Sequence, residues 1–377
     1  MLEIRAGKRT HHGVTVTLVV LGSVALATVI YFGVQVRFAS SRLVPEHAAL
    51  GPPDLINLNS QNALSDTEHL LDRYPPTTMP SLERRRALTT LDAIFHQEDA
   101  PQAIAVQDFF HRQIGRAVEN IEQTKVTTGA IVWHIYNHGF VVRTSSATIC
   151  FDLVRAKYLP GFELSEGLMI RIAQQCDVLF VSHVHADHAE SFVAQALVDQ
   201  GKPVVAPMQV GYRDTLYAKV THLEPRAHAI QTLPIRGGKS QLGVVVYPGH
   251  QGADVDNNVV LVIAPDGITV AHTGDQWEKG DDFEWIDRVA EHFQIDILMP
   301  NDWTYDLARM VRGFNPALVL PGHANELGHP VEKRQSYLLS FERKMGSSLF
   351  GGSRRVGYSV PVMVMTWGES YHYEPLR

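Results

Sequence analysis

Four potential metal ligands fall within six residues of this chain: His183, His185, Asp187 and His188, in the stretch Ser182-His183-Val184-His185-Ala186-Asp187-His188. Imidazole and carboxylate together make the donor set that suits zinc, or manganese and iron in harder versions of the same site. The cluster follows Cys176-Asp177-Val178-Leu179-Phe180-Val181, an apolar run that reads as a buried strand. Strand ends are where α/β proteins place their chemistry. In a turn leaving a strand, His183 and His185 can face one way and Asp187 and His188 another, which would serve two metals side by side. The competing reading is a solvated loop that happens to be rich in histidine.

Further candidate ligands sit at three other strand ends. They are Tyr247-Pro248-Gly249-His250, Ala271-His272-Thr273-Gly274-Asp275 and Leu320-Pro321-Gly322-His323. In each, a glycine precedes the candidate ligand and lets the backbone turn tightly. A lone histidine in a turn is as often a hydrogen-bonded turn residue as a ligand; the recurrence beside Ser182–His188 argues for a shared site.

The elements that would position these residues alternate along the chain. Strands are expected at Ala130–Tyr136, Gly139–Arg143 and Ala147–Asp152, followed by a helix near Leu164–Gln175 and the strand before the histidine cluster. A helix near Ala189–Gln200 and a strand at Pro203–Ala206 come next. Strands at Val244–Tyr247, Val259–Ala264 and Ile268–His272 follow, the last two joined by the hairpin signal Pro265-Asp266-Gly267. Strands at Ile295–Met299 and Ala317–Leu320 then alternate with helices. Early meanders imply antiparallel pairing, so two sheets flanked by helices fit better than one doubly wound parallel sheet.

Upstream, Leu88, Leu91, Ile94 and Phe95 share one face of an expected helix; Val106, Phe110, Ile114, Ala117 and Ile121 share that of a second. Such faces are expected to pack on the neighbouring domain rather than form a substrate lid. Residues 43–80 are proline-punctuated and read as a tether, with Ser65-Asp66-Thr67-Glu68 as a capping box opening a short helix. Val14–Val34 is 21 residues without a charge, about 31 Å as a helix and long enough to cross a hydrocarbon core. Arg5, Lys8 and Arg9 precede it. The expected layout is a basic segment 1–12, a transmembrane signal-anchor 13–36, a linker and helical region 37–126, and a catalytic domain 127–377. This predicts a single-pass membrane protein with an extracytoplasmic catalytic domain, or a secreted one if the signal is cleaved.

With 33 Lys+Arg against 40 Asp+Glu and a net charge of -7, the chain of 377 residues has no cationic field for gathering nucleic acid. Cys150 and Cys176 lie in expected strands and read as small buried hydrophobes, with a disulfide between them left open.

From Thr127 onward the chain resembles the metallo-β-lactamase superfamily, most specifically in its His-x-His-x-Asp-His signature. The resemblance implies an αββα four-layer sandwich and a binuclear metal-dependent hydrolase. It implies one metal held by His183, His185 and His250, and a second held by Asp187, His188 and His323, with Asp275 bridging. The metals would be two divalent ions, Zn2+ first, Mn2+ or Fe2+ as alternatives. Asp152 matches the family's early aspartate, which supports the site from behind its ligands. Val132–Phe140 and His272-Thr273-Gly274-Asp275 look closest to the subgroup containing ascorbate-phosphate lactonase and N-acyl-phosphatidylethanolamine phospholipase D.

A water held between two such ions becomes hydroxide near neutral pH and can attack an ester, lactone or phosphodiester. Asp187 and Asp275 are the expected catalytic carboxylates. His272 is a candidate for protonating a leaving group or contacting a phosphate; the alternative is a role only within its strand pair. Asn301-Asp302-Trp303 is a candidate lining of the pocket. The substrate is expected to be a small or lipid-like molecule, with the membrane reached through the N-terminal helix. The alternatives are a nuclease of the same fold and a non-catalytic metal-binding scaffold.

Overall fold

The computed structural model describes residues 53–212, 214–252, 254–277, 280–304, 306–338 and 360–375. The chain divides into two units, Met1–Ile56 and Asn57–Arg377. Only residues 53–56 of the first are described; both sheets and the helices packed on them belong to the second. The segment 13–36, expected to span a membrane, lies outside the described residues. Among the described residues no helix is long and apolar enough to cross a membrane, and this corrects the expected localisation as a single-pass membrane protein.

Among the described residues, twelve strands form two six-stranded sheets. In the first, β1 (Ala130–His134), β2 (Phe140–Thr144) and β3 (Thr148–Phe151) run antiparallel. β4 (Val178–Phe180) and β5 (Val204–Val205) then add in parallel. The second sheet repeats this plan. β6 (Gln231–Ile235), β7 (Ser240–Gln251), β8 (Val255–Ile263) and β9 (Thr269–His272) are antiparallel, and β10 (Ile297–Met299) and β11 (Leu318–Val319) are parallel. β12 (Ser370–Tyr373) returns to pair with β1.

Alternation of side chains across each strand sets the layers. Val132, Val142, Ile149 and Phe180 of the first sheet meet Val244, Val246, Val262 and Val270 of the second in a core between the sheets. The opposite face of the first sheet, with Trp133, Val141, Cys150 and Leu179, packs on helices Leu82–Phe95, Ile104–Gln123, Glu166–Gln175 and Ser191–Val198. The outer face of the second, with Val245, Tyr247, Leu261 and Leu298, packs on helices Asp282–Ile286, Val289–His292 and Leu307–Phe314. Three cores separate four layers, in the order helix, sheet, sheet, helix.

The upstream helices join this body. All nine apolar positions singled out on their two faces are buried. Trp367, beside β12, stacks on Phe95 at 4.6 Å and meets Phe110 edge-on at 5.7 Å. Arg84 forms a buried two-pronged pair with Glu369, at 2.8 and 2.7 Å. Ser65 lies inside the helix Pro53–Arg73 and opens no separate helix; the cap found is Ser81, whose hydroxyl accepts from Arg84 N at 3.1 Å. The two cysteines are joined, Cys150 to Cys176, with Cα atoms 6.0 Å apart, and the bond ties β3 to the entrance of β4.

Candidate metal centre

β3 and β4 are parallel neighbours, so their ends open on the same side. β3 delivers Asp152 and β4 delivers Ser182–His188. The Asp152 carboxylate accepts hydrogen bonds from Ser182 N at 2.7 Å and Ser182 Oγ at 2.6 Å, and lies 2.7 Å from His188 Nδ1. Burial alone would raise this carboxyl, but the charge and hydrogen bond of His188 hold it below its ordinary range. The contact at Nδ1 aims His188 Nε2 at Asp275 Oδ1, 3.2 Å away, and Asp187 Oδ2, 3.3 Å away.

The turn after β9 supplies Asp275. Its amide donates to Asn257 Oδ1 at 3.0 Å. Gly274 before it has φ +51, and a Cβ there would collide with Asn257 Oδ1 and the Ser182 side chain, so only glycine fits. Asn301 donates to Asp275 Oδ1, and Gln251 Nε2 donates to its Oδ2 at 2.9 Å. His323 leaves the end of β11 with φ +68. Its amide donates to Asn137 O at 2.8 Å, and its Nε2 lies 3.4 Å from Asp187 Oδ2 and 3.5 Å from Asp275 Oδ2. One ligand atom each from Asp187, His188, Asp275 and His323 thus falls within 4.8 Å of all the others.

The electrostatics of this group call for a cation. Burial penalises a charged imidazole, yet Asp275 and Asp187 outweigh it and push His323 up to about 10. His188 is likewise raised well above its usual value, burial being outweighed by Asp275, Asp187 and Asp152. Both carboxyls are held well below theirs: burial would raise them, and the neighbouring imidazoles prevail. His188 Nε2 is buried without a well-aligned hydrogen bond. A buried and a half-buried carboxylate compensated by protons on two buried imidazoles form a donor set that a divalent cation fits: it would displace the protons and take the same four ligand atoms.

The remaining expected ligands divide. His183 is buried at the edge of the cluster, its Nε2 3.1 Å from His185 Nδ1 and 3.9 Å from Asp275 Oδ2. Burial, then the neighbouring His188, push it down to about 3, so it is a neutral imidazole fit to ligate. His185 is exposed at the rim. His250 is not among the four residues whose ligand atoms converge; its Nδ1 lies 2.9 Å from Asp282 Oδ1, the kind of carboxylate contact that orients an imidazole and leaves Nε2 free, and it lines another cavity, of about 350 Å³, with Met208 and His222.

The role expected of His272 is not what its surroundings support. Its Nε2 lies 2.9 Å from His138 O, and its Nδ1 accepts from Gly274 N at 3.2 Å. Stacked on Phe151 and 1% exposed, it holds two backbone segments together and does not reach the cavity.

That cavity, of about 480 Å³, is walled by His185, Asp187, Asp275 and His323 together with Gln251, Trp277, Trp303, His329 and Lys333. Asn137 backs it, donating to Asp187 Oδ2 at 2.7 Å. Of the residues that join the expected ligands here, Asn137, Asn301 and Trp303 lie in stretches that the sequence marks. The turn Tyr136-Asn137-His138-Gly139 carries a signal that could have marked Asn137, because asparagine tolerates its φ of +50. Gln251, Trp277, His329 and Lys333 carry no comparable spacing.

Comparison with known proteins finds no matching family model and no matching curated protein. Among solved structures, the chain is similar to Igni18, a novel metallo hydrolase from the archaeon Ignicoccus hospitalis, at 17% identity and TM-score 0.46, over 66% of this chain and 99% of that one. It is similar to a possible metal-dependent hydrolase from Veillonella parvula at 16% identity and TM-score 0.44, over 65% of this chain and 100% of that one. A protein from Thermotoga maritima, classed with Zn-dependent hydrolases of the metallo-β-lactamase superfamily, aligns at 16% identity and TM-score 0.29, over 52% of this chain and 76% of that one. At such identities nothing in those proteins' activities carries over to this chain.

Proposed function

We propose that this chain is a metal-dependent hydrolase of the metallo-β-lactamase superfamily, acting on an ester, lactone or phosphodiester of a small molecule. The observation that carries the reading is the convergence of Asp187, His188, Asp275 and His323 within 4.8 Å at the floor of an open cavity, from three separate strand ends. Divalent metal bound there supplies an activated water and polarises the bond under attack. The chain's own residues then do the rest. Asp152 fixes the orientation of His188, and Asn137 orients Asp187. Asn301 donates to Asp275 Oδ1 and Gln251 to its Oδ2, which together fix the orientation of that carboxylate. His183 supplies a neutral imidazole nitrogen from the buried edge of the cluster, and His185 adds a further nitrogen donor at the exposed rim. The resemblance of Val132–Phe140 to the lactonase and phospholipase D subgroup supports placing the chain nearest that group.

The cavity walls favour a substrate with a flat or apolar part and a negative charge. Trp277 and Trp303 offer ring faces, while His329 and the exposed Lys333 stand at the mouth. Incubating the purified chain with Zn2+ or Mn2+ and panels of lactones, carboxylic esters and phosphodiesters tests this. Turnover that is abolished by chelation and by Asp275→Ala is the expected result. No metal-dependent turnover on any panel would favour the non-catalytic metal-binding reading instead.

A further inference from the structure

The cavity of about 350 Å³ lined by His250 has a chemistry different from that of the metal-centre cavity, which the next residue, Gln251, lines. Strand alternation builds one of its walls. Val244 and Val246 of β7 and Val260 and Val262 of β8 face the core between the sheets. A period of two then puts Pro248 and His250, with their cross-strand partners Asn258 and Asp256, on that same face. The opposite wall is the chain after β5: Pro207 and Met208, then Leu223 and Pro225. Both walls are fixed. Gln209 Oε1 accepts from Asp256 N at 3.1 Å, and His222 Nδ1 lies 2.9 Å from Ala206 O. Asn258 N donates to Ser182 O at 2.8 Å, which sets the first wall against the residue before His183.

Prolines, a leucine and a methionine make most of this lining. Its charged residues are Glu224, which pairs with Arg226, and Asp256. Among the described residues no lysine or arginine lines it, whereas the metal-centre cavity has Lys333. An anionic group is therefore disfavoured here and an uncharged one is not. Asn258 is 3% exposed, and its Nδ2 is buried without a hydrogen-bond partner. A buried donor left unpaired is costly, and an acceptor oxygen on a ligand would pair it. Pre-formed, mostly apolar walls with a few placed polar groups are the usual make-up of a small-molecule site.

We infer that this cavity is a substrate subsite for an uncharged apolar group bearing a carbonyl oxygen, which accepts from Asn258 Nδ2 while the bond to be cleaved lies at the metal centre. That the bound group belongs to a substrate rests on the metallohydrolase reading; that the cavity binds such a group does not. With Trp277, Trp303 and Lys333 lining the other cavity, the substrate is divided in two. Its flat or anionic part goes to that side and its neutral chain to this one.

Prodan, an uncharged naphthyl ketone whose emission shifts to the blue in apolar surroundings, tests this on the full-length protein without metal or turnover. Saturable binding is expected. Competing 2-alkanones should bind about threefold more tightly for each added methylene, and heptanoate at least about tenfold more weakly than 2-heptanone. Met208 is 73% exposed, so Met208→Arg leaves the core intact; it is expected to weaken 2-heptanone and strengthen heptanoate. Asn258→Leu, which keeps the size and removes the donor, is expected to weaken 2-heptanone about fivefold and to spare the isosteric alkene 2-methyl-1-heptene. Prodan binding that is absent, or that both variants leave unchanged, overturns the inference; metal-dependent turnover on the ester panel, measured separately, still decides the hydrolase reading. Binding as expected with no metal-dependent turnover on any panel overturns the hydrolase reading and, with it, the assignment of the bound group to a substrate.

Discussion

Asp152→Asn keeps the shape of the residue beneath the metal centre but removes its charge and one of its two acceptor oxygens. In the native site the carboxylate meets Ser182 N, Ser182 Oγ and His188 Nδ1 at 2.7, 2.6 and 2.7 Å. The asparagine oxygen can still accept from Ser182 N. Its amide then confronts the hydroxyl and the imidazole, so two charge-assisted bonds are lost. At roughly 1.5–3 kcal/mol each, this predicts a destabilisation of about 3–6 kcal/mol. The second effect is on metal. His188 loses the partner that sets its tautomer and ring angle, which lowers metal affinity by about 10–100-fold. Urea unfolding of the metal-free protein at pH 7 reads the first effect, and zinc competition against a chromophoric chelator reads the second. A variant with the wild-type unfolding midpoint and wild-type zinc affinity would refute the reasoning, because the other partner of His188 Nδ1, Ser182 Oγ, stands farther off at 3.3 Å.

Three other perturbations have defined outcomes. Gly274→Ala places a Cβ against Asn257 and Ser182 at a φ of +51; loss of at least about 2 kcal/mol of stability, together with weakened metal binding, is expected from strain and displacement of the Asp275 turn. Replacing Cys150 and Cys176 by serine opens a loop of 26-residue separation, and thermal or denaturant unfolding should show a loss of about 3–4 kcal/mol. Asp92 is pushed up to about 6 by burial, despite accepting from Asn325 and Tyr337. A carboxyl whose folded pKa is raised gives stability that is fully present below the unfolded value near 3.9 and is lost as pH rises through the folded one. The stability of wild type minus that of Asp92→Asn should therefore fall by about 2 kcal/mol between pH 4 and pH 7, and a flat difference in urea-unfolding series would contradict it.

Much of the plan is legible because it is written locally. The strand Val178–Phe180 and the ligands after it occupy eleven consecutive residues, and Pro265-Asp266-Gly267 does form the turn between β8 and β9. What escaped depends on partners distant in sequence. β12 is Ser370–Tyr373, in which only Tyr373 is buried, with no apolar run of its own; it is a strand because β1 needs an edge partner. β6 carries Pro234, tolerable on an edge but a strand breaker to a local reading. The pairing of Cys150 with Cys176 follows from β3 lying beside β4, which spacing alone does not encode.

Three residues around the centre, Asn137, Asp152 and His323, adopt left-handed backbone conformations, at φ +50, +44 and +68. Each costs an L-residue on the order of 1–2 kcal/mol. All three follow strands of the packed sheets, and each has its backbone or side chain tied to another: His323 N to Asn137 O, Asn137 Nδ2 to Asp187, Asp152 to His188. The strain is thus held by the cores on either side of the sheets, which the ligands themselves do not touch. It extends to the outer helical layer, where Asp92 accepts from Asn325 at 2.8 Å and so anchors the loop two residues beyond His323. The helices upstream of β1 are therefore part of the scaffold that sets the metal geometry. A change such as Asp92→Ala, far from any ligand, acts on metal affinity through the one loop that carries His323, and zinc competition should read it as weaker binding.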